Sequence, residues 1–421
     1  MCPESHNLVC LNEVVKQVQD KWTDRTKWNF DRYIAGEHIN SGEIRINNYG
    51  LIKGNEDKIG SAFHMKFYRG DVLYVTRRAY LRKAGIVNFE GICSNVTLVL
   101  RTIESKLIQS LLPFILQSEE FTSFAIENSI GSTNPFVKWS DIGKYKLIIP
   151  SIPEQKKISE ILWAIEENIE KTEKLLETIE KLKKGLLSQL LTKGIGHTKF
   201  KETEIGQIPK DWKIVKFGEI ADIIKGVSYS SEDLSDDQGH ILINLKCFNK
   251  GGGFNSKGIK YFNGKYKENQ MLFENDLVIA NTDITRNAEV VGYPAVIPKL
   301  ESDKKAIYTM DVSKINIFNS TVLSKYLYYF FLTDYSHDSM IKNSSGTTVL
   351  HLNVNSIKTI EIPLPKIEEQ GKIISLLDSF DMAIKTYKSH ITHLSNLKMK
   401  LTNEFLSGNI RIPPEVLKNV Q

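Results

Sequence analysis

Apolar residues recur at alternating steps of three and four along the stretch from Glu154 to Lys193. This stretch has no glycine before Gly185 and no proline after Pro153, and Glu and Lys fill most of its other positions. The pattern predicts one long helix with a single apolar stripe, and about 40 residues at 1.5 Å each would make a rod of roughly 60 Å. A helix with one apolar stripe needs a partner helix that covers it.

The partner is predicted to lie in the same chain, because the stretch repeats at a shift of 215 positions. Glu154-Gln155 falls on Glu369-Gln370 at this shift, and the two apolar stripes match without a gap. We therefore predict an internal duplication whose two long antiparallel helices form a coiled coil. Leu182 and Leu397 match each other and belong to the stripe. The other predicted seam residues are Ile158, Leu162, Ile165, Ile169, Leu176, Ile179 and Leu186 in the first helix, and Ile373, Leu377, Phe380, Ile384, Ile391, Leu394 and Leu401 in the second.

The stretches that precede the two helices are predicted to be globular domains of the α/β (mixed α+β) class. Asp71–Thr76 and Val96–Leu100 have the composition of buried strands, and Lys106–Asn128 looks helical. The second copy matches the first at a shift of about 206 near Phe217 and of 215 further on, which predicts an insertion of roughly nine residues in the second globular copy.

These repeats divide the chain into four predicted segments: a globular domain (1–146), a first long helix (147–195), a linker with a second globular domain (196–361), and a second long helix with a tail (362–421). Gln421 falls on Gly206 and Met1 on Gln207 when the repeats are matched. The two ends of the chain are therefore predicted to lie close together, in a circular, pseudo-two-fold arrangement with one globular domain at each end of the rod.

Composition and charge narrow the function only slightly. The chain has 421 residues, 41% of them hydrophobic and 25% charged, with a net charge of +5, as in ordinary globular proteins. Its four cysteines lack metal or redox spacing, as expected of a reduced, cytoplasmic protein. The longest apolar run, Tyr326–Leu332, is too short to span a bilayer, and the N-terminus does not have the pattern of a signal peptide.

Three short motifs, taken with the order of domains and helices, carry a family resemblance. Ile149–Ile158 and Ile362–Ile373 are matching Pro-rich junctions that end in Glu-Gln, and Ile205–Trp212 leads into the second globular domain. As a set they resemble the specificity (S) subunit of type I restriction–modification systems, over essentially the whole chain. The lead-in is missing before the first domain, and the tail 409–421 resembles it poorly.

The resemblance implies a DNA-binding subunit that is not itself an enzyme. Each globular domain would be a target-recognition domain for one half of a bipartite, asymmetric site in double-stranded DNA. The helical pair would set the spacing between the half-sites and dock two methyltransferase subunits, which restriction subunits then join. The resemblance places S-adenosylmethionine, ATP and Mg in those partner subunits, so no cofactor and no membrane association is expected for this chain.

No catalytic or metal site is predicted from the residues. Asn134-Pro135-Phe136 lacks the second proline of the amino-methyltransferase motif, Gly251–Phe254 opens no obvious helix, and His390 with His393 is typical of solvated helix surface. An alternative function is a coiled-coil scaffold whose globular ends bind proteins. The equal numbers of basic and acidic residues in 196–361 leave that alternative open.

The candidate DNA contacts lie directly after matching strands. Arginine can donate a fork of hydrogen bonds to guanine or to phosphate, and asparagine matches the edge of adenine, although solvated basic loops have the same composition. Phe136 is predicted to belong to the core. The candidates are Arg77, Arg78, Tyr80, Arg82 and Lys83 in the first domain, and Asn281, Thr282, Arg286, Asn287, Lys225, Tyr229, Ser345 and Thr347 in the second.

Overall fold

The computed structural model describes residues 8–235, 237–285, 287–300 and 304–417. They form two compact units: the first contains the residues up to Leu175 together with those from Tyr387 onward, and the second is Leu176–Thr386. Each unit contains one globular domain and one part of each long helix.

The globular part of the first unit consists of short strands and three short helices. The strands are β1 (Leu8–Cys10), β2 (Val15–Val18), β3 (Arg32–Ile34), β4 (Arg45–Ile46), β5 (Gly50–Leu51), β6 (Phe63–Phe67), β7 (Val72–Val75), β8 (Ala84–Val87), β9 (Gly91–Ser94), β10 (Thr97–Thr102) and β11 (Lys146–Ile148); the helices are α1 (Leu112–Gln117), α2 (Glu119–Glu127) and α3 (Trp139–Ile142). One sheet has the order β2-β10-β7-β8-β4 and another the order β5-β3-β9-β6. The two predicted strands are confirmed as β7 and β10, whereas the predicted helical stretch is divided between α1 and α2.

The first long helix, α4, spans Ile152–Lys193. It begins two residues before the predicted start, so Pro153 lies in its first turn. Proline is tolerated there because the first N–H groups of a helix have no partner within the helix.

The second unit repeats the strand order of the first. Its elements are β12 (Phe200–Thr203), β13 (Gly206–Pro209), β14 (Lys213–Lys216), β15 (Ala221–Lys225), β16 (Leu234–Ser235), β17 (His240–Ile243), β18 (Lys260–Phe262), β19 (Met271–Leu272), β20 (Leu277–Ala280), β21 (Thr282–Asp283), β22 (Pro294–Val296), β23 (Ala306–Tyr308), β24 (Val312–Ile317), α5 (Ser324–Phe331), α6 (Asp334–Lys342), β25 (Ser344–Ser345), β26 (Leu350–Leu352) and β27 (Glu361–Leu364). The order β15-β24-β20-β22 reproduces β2-β10-β7-β8. The second globular domain is therefore a copy of the first, as the duplication predicted.

Strand registers locate the insertion in the second copy. Tyr74 pairs with Ala84 and Ile279 pairs with Pro294, so the shift grows from 205 on the central strand to 210 on its neighbour. It reaches 215 at the next strand, because Val75 pairs with Thr97 as Ala280 pairs with Val312. The single predicted insertion is in fact two insertions of five residues, one between β20 and β22 and one between β22 and β24.

The second long helix, α7, spans Ile367–Leu406, and it runs antiparallel to α4 within each unit. In the second unit, Lys183 Nζ lies 2.5 Å from Asp381 Oδ1, and His197 Nε2, further along, lies 2.8 Å from Glu369 Oε1. The first unit shows the same reversal, because Glu166 pairs with Lys398 and Glu154 with Arg411. The predicted antiparallel pair is confirmed.

A buried glutamine fixes each long helix to its globular domain. Gln155 accepts a hydrogen bond from Ile108 N and donates to the carbonyl oxygens of Lys106 and Pro150. Gln370 makes the same three bonds, with Leu323 N and with the carbonyl oxygens of Thr321 and Pro365. Both side chains are 0% exposed, so the Glu-Gln motif at the two junctions has a structural explanation.

The seam predictions divide into two groups. The other fourteen predicted seam residues are all buried or partly buried, with Ile158, Leu162, Ile169, Ile373 and Leu377 inside the cores of their units. Leu182 and Leu397 are instead 58% and 45% exposed, so the prediction that they lie in the covered seam is wrong. The apolar stripe is wider than the surface that the partner helix covers.

The last described residues bond to the first turn of the first long helix. Ile412 donates its backbone N–H to Glu154 Oε1, as Ile195 does to Glu369 Oε1 in the second unit, and a short helix, α8 (Pro414–Leu417), follows. The tail thus fills in the first unit the place that the linker fills in the second. Met1 and Gln421, whose proximity was predicted, lie outside the described residues.

Candidate nucleic-acid interface

In the first unit, the loop after the central strand β7 (residues 76–83) lies beside a second loop, 129–137. Arg78 donates its backbone N–H to Pro135 O at 2.7 Å, and Val137 donates to Thr76 O at 3.0 Å. Phe136 forms bridges with both Arg77 and Ile130. We call this pair of loops, and its counterpart in the second unit, the loop edge.

The five candidate side chains of the first loop edge divide into outward and inward groups. Arg77, Arg78 and Tyr80 are exposed, and Tyr80 keeps 55% of its surface. Arg82 points its guanidinium at Met399 Sδ, 3.4 Å away, and Lys83 donates from Nζ to Gly36 O at 2.6 Å. Among the contacts of the described residues, the side chains of Arg77, Arg78 and Tyr80 have no internal bond to lose on contacting a ligand, whereas Arg82 and Lys83 have.

The loop edge of the second unit has the same construction with a longer loop. Residues 281–293 follow β20, and β21 in this loop pairs with the hairpin β25–β26 through Thr282 and His351. Leu352 donates its backbone N–H to Asn281 O, as Val137 does to Thr76 O. The structure therefore brings the loop after the central strand and the glycine loop side by side in both units.

Asn281 and Thr282 are not available as surface contacts in this conformation. They are 5% and 6% exposed, and their side chains bond to Met310 O and to Asp311 Oδ1. A side chain that supports its own loop cannot reach a base edge unless the loop rearranges. Asn287 is exposed on the same loop, whereas Arg286 lies outside the described residues.

Asp283 holds the longer loop in shape. Its carboxylate accepts hydrogen bonds from the backbone N–H groups of Thr285, Val290 and Val291 at 2.6, 2.6 and 2.9 Å. Burial works to raise the pKa of Asp283, but the hydrogen bonds from Thr285, Val291 and Val290 outweigh it and hold the pKa below its usual range. This support could not be predicted from the sequence, because the three donors are up to eight positions away from Asp283.

The other four candidates of the second domain lie at the loop edge of the second unit. Lys225 ends β15 and pairs with Ser313, which pairs on its other side with Ile279 of the central strand. Lys225, Tyr229, Ser345 and Thr347 are all exposed.

Both loop edges also contain exposed apolar side chains that were not predicted from the sequence. Phe136 is 38% exposed and Ile130 48%, so the prediction that Phe136 belongs to the core is wrong. In the second unit Ile284 is 69% exposed and Met310 55%. Sequence pattern alone could not distinguish these residues from core residues, since a single apolar residue in a loop looks the same in either role.

Comparisons with known proteins give this arrangement a family. A family profile described as "Type I restriction modification DNA specificity domain" matches residues 3–181 and again 209–395. The chain therefore belongs to the family of type I restriction–modification DNA specificity proteins, and its two target-recognition domains are two copies of that family's domain.

Relatives and solved structures agree with this assignment. The chain is 27% identical over 430 residues to the type I restriction enzyme MjaVIII specificity subunit of Methanocaldococcus jannaschii, covering 97% of this chain and 94% of that protein. It is 31% identical over 142 residues to the EcoDI specificity subunit of Escherichia coli, covering 33% and 31%. A chain solved in work on assembly and conformational transition of the type I R-M system has the same fold, with a TM-score of 0.59, 18% identity, and coverage of 96% and 97%.

A second solved structure, the S subunit of a type I system from M. genitalium, has a TM-score of 0.55 at 12% identity, and the match covers 96% of this chain and 98% of that one.

Across the described ranges, no helix combines the length and the apolar character needed to cross a membrane.

Proposed function

We propose that the two loop edges are the surfaces with which this specificity subunit reads the two halves of a split DNA site. The observation that carries the proposal is their equivalence: the same two loops lie side by side in each unit, on the same strands. The exposed polar candidates at these edges are arginine, lysine, tyrosine, asparagine, serine and threonine, which are the side chains that commonly contact bases and phosphates.

The proposed contacts follow from which side chains are exposed. In the first domain they are Arg77, Arg78 and Tyr80; in the second they are Lys225, Tyr229, Asn287, Ser345 and Thr347, with Arg286 added from the sequence. Arg82, Lys83, Asn281 and Thr282 are assigned to holding the loops instead. Because the loops differ in length and residues, the two half-sites should differ in sequence.

The two long helices are proposed to set the spacing and to dock two methyltransferase subunits. Exposed Leu182 and Leu397 are related by the internal shift of 215, so each half of the repeat presents one large apolar side chain at the same helical position. In the second unit Leu182 borders a groove of about 520 Å³ that Gly185 leaves open. Exposed apolar surface of this kind is typical of an interface, and its repetition favours two copies of one partner.

In this proposal the chain itself is not catalytic. Methyl transfer would use S-adenosylmethionine bound by the methyltransferase subunits, and cleavage would use ATP and Mg bound by restriction subunits. Because chromosomal DNA and the methyl donor are inside the cell, the complex would act in the cytoplasm.

Methylation mapping tests the proposal. The chain is co-expressed with a cognate type I methyltransferase subunit, and modified adenines are mapped in the host DNA. We expect one split motif, altered in one half by a combined Arg77→Ala and Tyr80→Ala change and in the other half by Asn287→Ala with Lys225→Ala. Lys144→Ala, which changes an exposed lysine outside the loop edges, is the matched control.

Two outcomes would contradict the proposal. A split motif that survives both sets of changes would place the reading surface elsewhere. A stable complex that leaves the DNA unmodified would favour the scaffold alternative for the globular domains.

A further inference from the structure

The first loop edge contains arginines in a backbone conformation that arginine rarely adopts. Among the described residues, the non-glycine positions with positive φ are Arg78 (55°), Arg82 (50°), Asn275 (69°) and Ala288 (53°). A side chain with a β-carbon makes this left-handed region unfavourable, and glycine or asparagine is the usual choice. Two of the four positions flank the same short turn, Ala79–Leu81.

The other positive-φ residues have ordinary structural explanations. Asn275 stands in the turn before β20, where the first unit has Gly70 at φ 89°, so this turn uses the two residues that tolerate the conformation. Ala288 is buried at 6% exposure, and its carbonyl oxygen accepts a hydrogen bond from His337 Nε2. Arg82 places its guanidinium against Met399, which gives that side chain a packing role.

Arg78 has no comparable explanation. Its side chain is exposed, and in the part of the chain that the structure describes its guanidinium has neither a hydrogen-bond nor an ion-pair partner. Its backbone, by contrast, is fixed on both sides: the N–H bonds to Pro135 O at 2.7 Å, and the carbonyl oxygen accepts from Leu81 N at 2.8 Å. An unfavourable backbone held in place at an exposed residue points to a function for its side chain.

We infer that Arg78 is a specificity-determining residue that reads a guanine in the half-site of the first domain. The inference rests on the proposed DNA-reading function of the loop edge. The guanidinium can donate two parallel hydrogen bonds to guanine O6 and N7, and this contact requires a fixed direction of approach. A phosphate contact requires only charge, which a lysine on a relaxed backbone would supply, so it would not explain the retained conformation.

The test uses two substitutions that separate backbone from side chain. Arg78→Gly relieves the left-handed backbone and removes the fork, so the chain should melt at a higher temperature while recognition is lost. Arg78→Lys keeps the charge and removes only the fork. Arg69→Lys is the control, because Arg69 is exposed at the opposite end of the same central strand.

Each variant is co-expressed with the methyltransferase subunit and its motif is mapped. We expect both Arg78 variants to lose preference for guanine at one position in one half of the motif. The preference over other bases should fall by roughly 5- to 150-fold, the range for a bidentate contact, and the other half of the motif should be unchanged. The purified complexes are then bound to duplexes in which 7-deazaguanine, which lacks the N7 acceptor, replaces that guanine. Wild type and Arg69→Lys should lose affinity, whereas the Arg78 variants should be indifferent.

Several results would overturn the inference. They are an unchanged motif, relaxation at a base other than guanine, a lower melting temperature for Arg78→Gly, or equal sensitivity of all complexes to 7-deazaguanine. If the variants lose modification altogether, the binding measurement with candidate duplexes of the wild-type motif still decides between these results. A wild-type complex without any split motif would instead refute the DNA-reading function itself, before any variant is compared.

Discussion

The two loop edges stand on equivalent sheets, one in each unit, but are held in shape by different means. In the first unit the loop is short, and Arg78 bonds through its backbone to the neighbouring loop. In the second unit the loop is five residues longer, and the buried carboxylate of Asp283 bonds to three backbone N–H groups. The sheet therefore determines where each loop stands, while each loop has its own means of support.

In the helical parts of the two units, the supporting interaction is the same and its surroundings differ. The ion pair Glu166–Lys398 in the first unit corresponds to Asp381–Lys183 in the second at the shift of 215. Its neighbours differ: Phe114 packs on Trp163 in the first unit, whereas Tyr329 in the second bonds to Asp378 and Asp381. Burial, together with those two carboxylates, raises the pKa of Tyr329. The interaction is conserved between the units, and its surroundings range from aromatic to polar.

Removing the lysine should distinguish the two ion pairs. Glu166 is 6% and Lys398 15% exposed at the side chain, so Lys398→Ala leaves a buried, unpaired carboxylate and should cost about 3–5 kcal/mol of unfolding free energy. Asp381 is 41% exposed, and Lys183→Ala should cost about 1 kcal/mol or less. Denaturant unfolding measures both, and equal losses would show that burial does not separate the pairs.

The junction glutamines should behave alike, in contrast to the ion pairs. Gln155→Leu or Gln370→Leu leaves one buried N–H and two carbonyl oxygens without their partner, which should cost about 2–4 kcal/mol in each unit. The measurement is again denaturant unfolding, with Gln189→Leu on exposed helix surface as the control. A large loss at one junction and none at the other would argue against equivalent roles.

Asp283 should make the second loop edge sensitive to acid. Because the pKa of Asp283 in the folded protein is below its unfolded value, its stabilising contribution is present above about pH 4 and is lost as the pH falls through the lowered folded pKa. Asp283→Asn should remove about 1–2 kcal/mol of local protection at neutral pH. Hydrogen exchange at Val290 and Val291 would report it, and unchanged exchange there would exclude Asp283 as the support of the loop.

The exposed leucines should have the smallest effect on stability. Leu182→Ser and Leu397→Ser should change the unfolding free energy by less than about 0.5 kcal/mol, because both side chains are largely in water. Each should nevertheless weaken binding of one methyltransferase subunit, and the double variant should weaken both. Native mass spectrometry counts the bound subunits, and full occupancy of the double variant would place the docking surface elsewhere.

The arrangement of domains and long helices was predictable from the sequence because the internal duplication shows the same pattern twice. The shift of 215 and the period of the helices were sufficient to predict two domains and an antiparallel pair. The functional surface was harder to predict. Whether Asn281, Leu182 or Phe136 is covered depends on neighbours distant in sequence, and the left-handed backbone of Arg78 leaves no trace in composition.

The division of the chain also determines which unit is complete first during synthesis. The second unit is one continuous segment, Leu176–Thr386, whereas the first requires residues from both sides of it. The backbone N–H that donates to the Glu154 carboxylate belongs to Ile412, which is translated 258 residues later. On the ribosome the second unit can therefore complete its core before the first, and a chain that terminates early would lack Phe405, Leu406 and Ile412 from the core of the first unit.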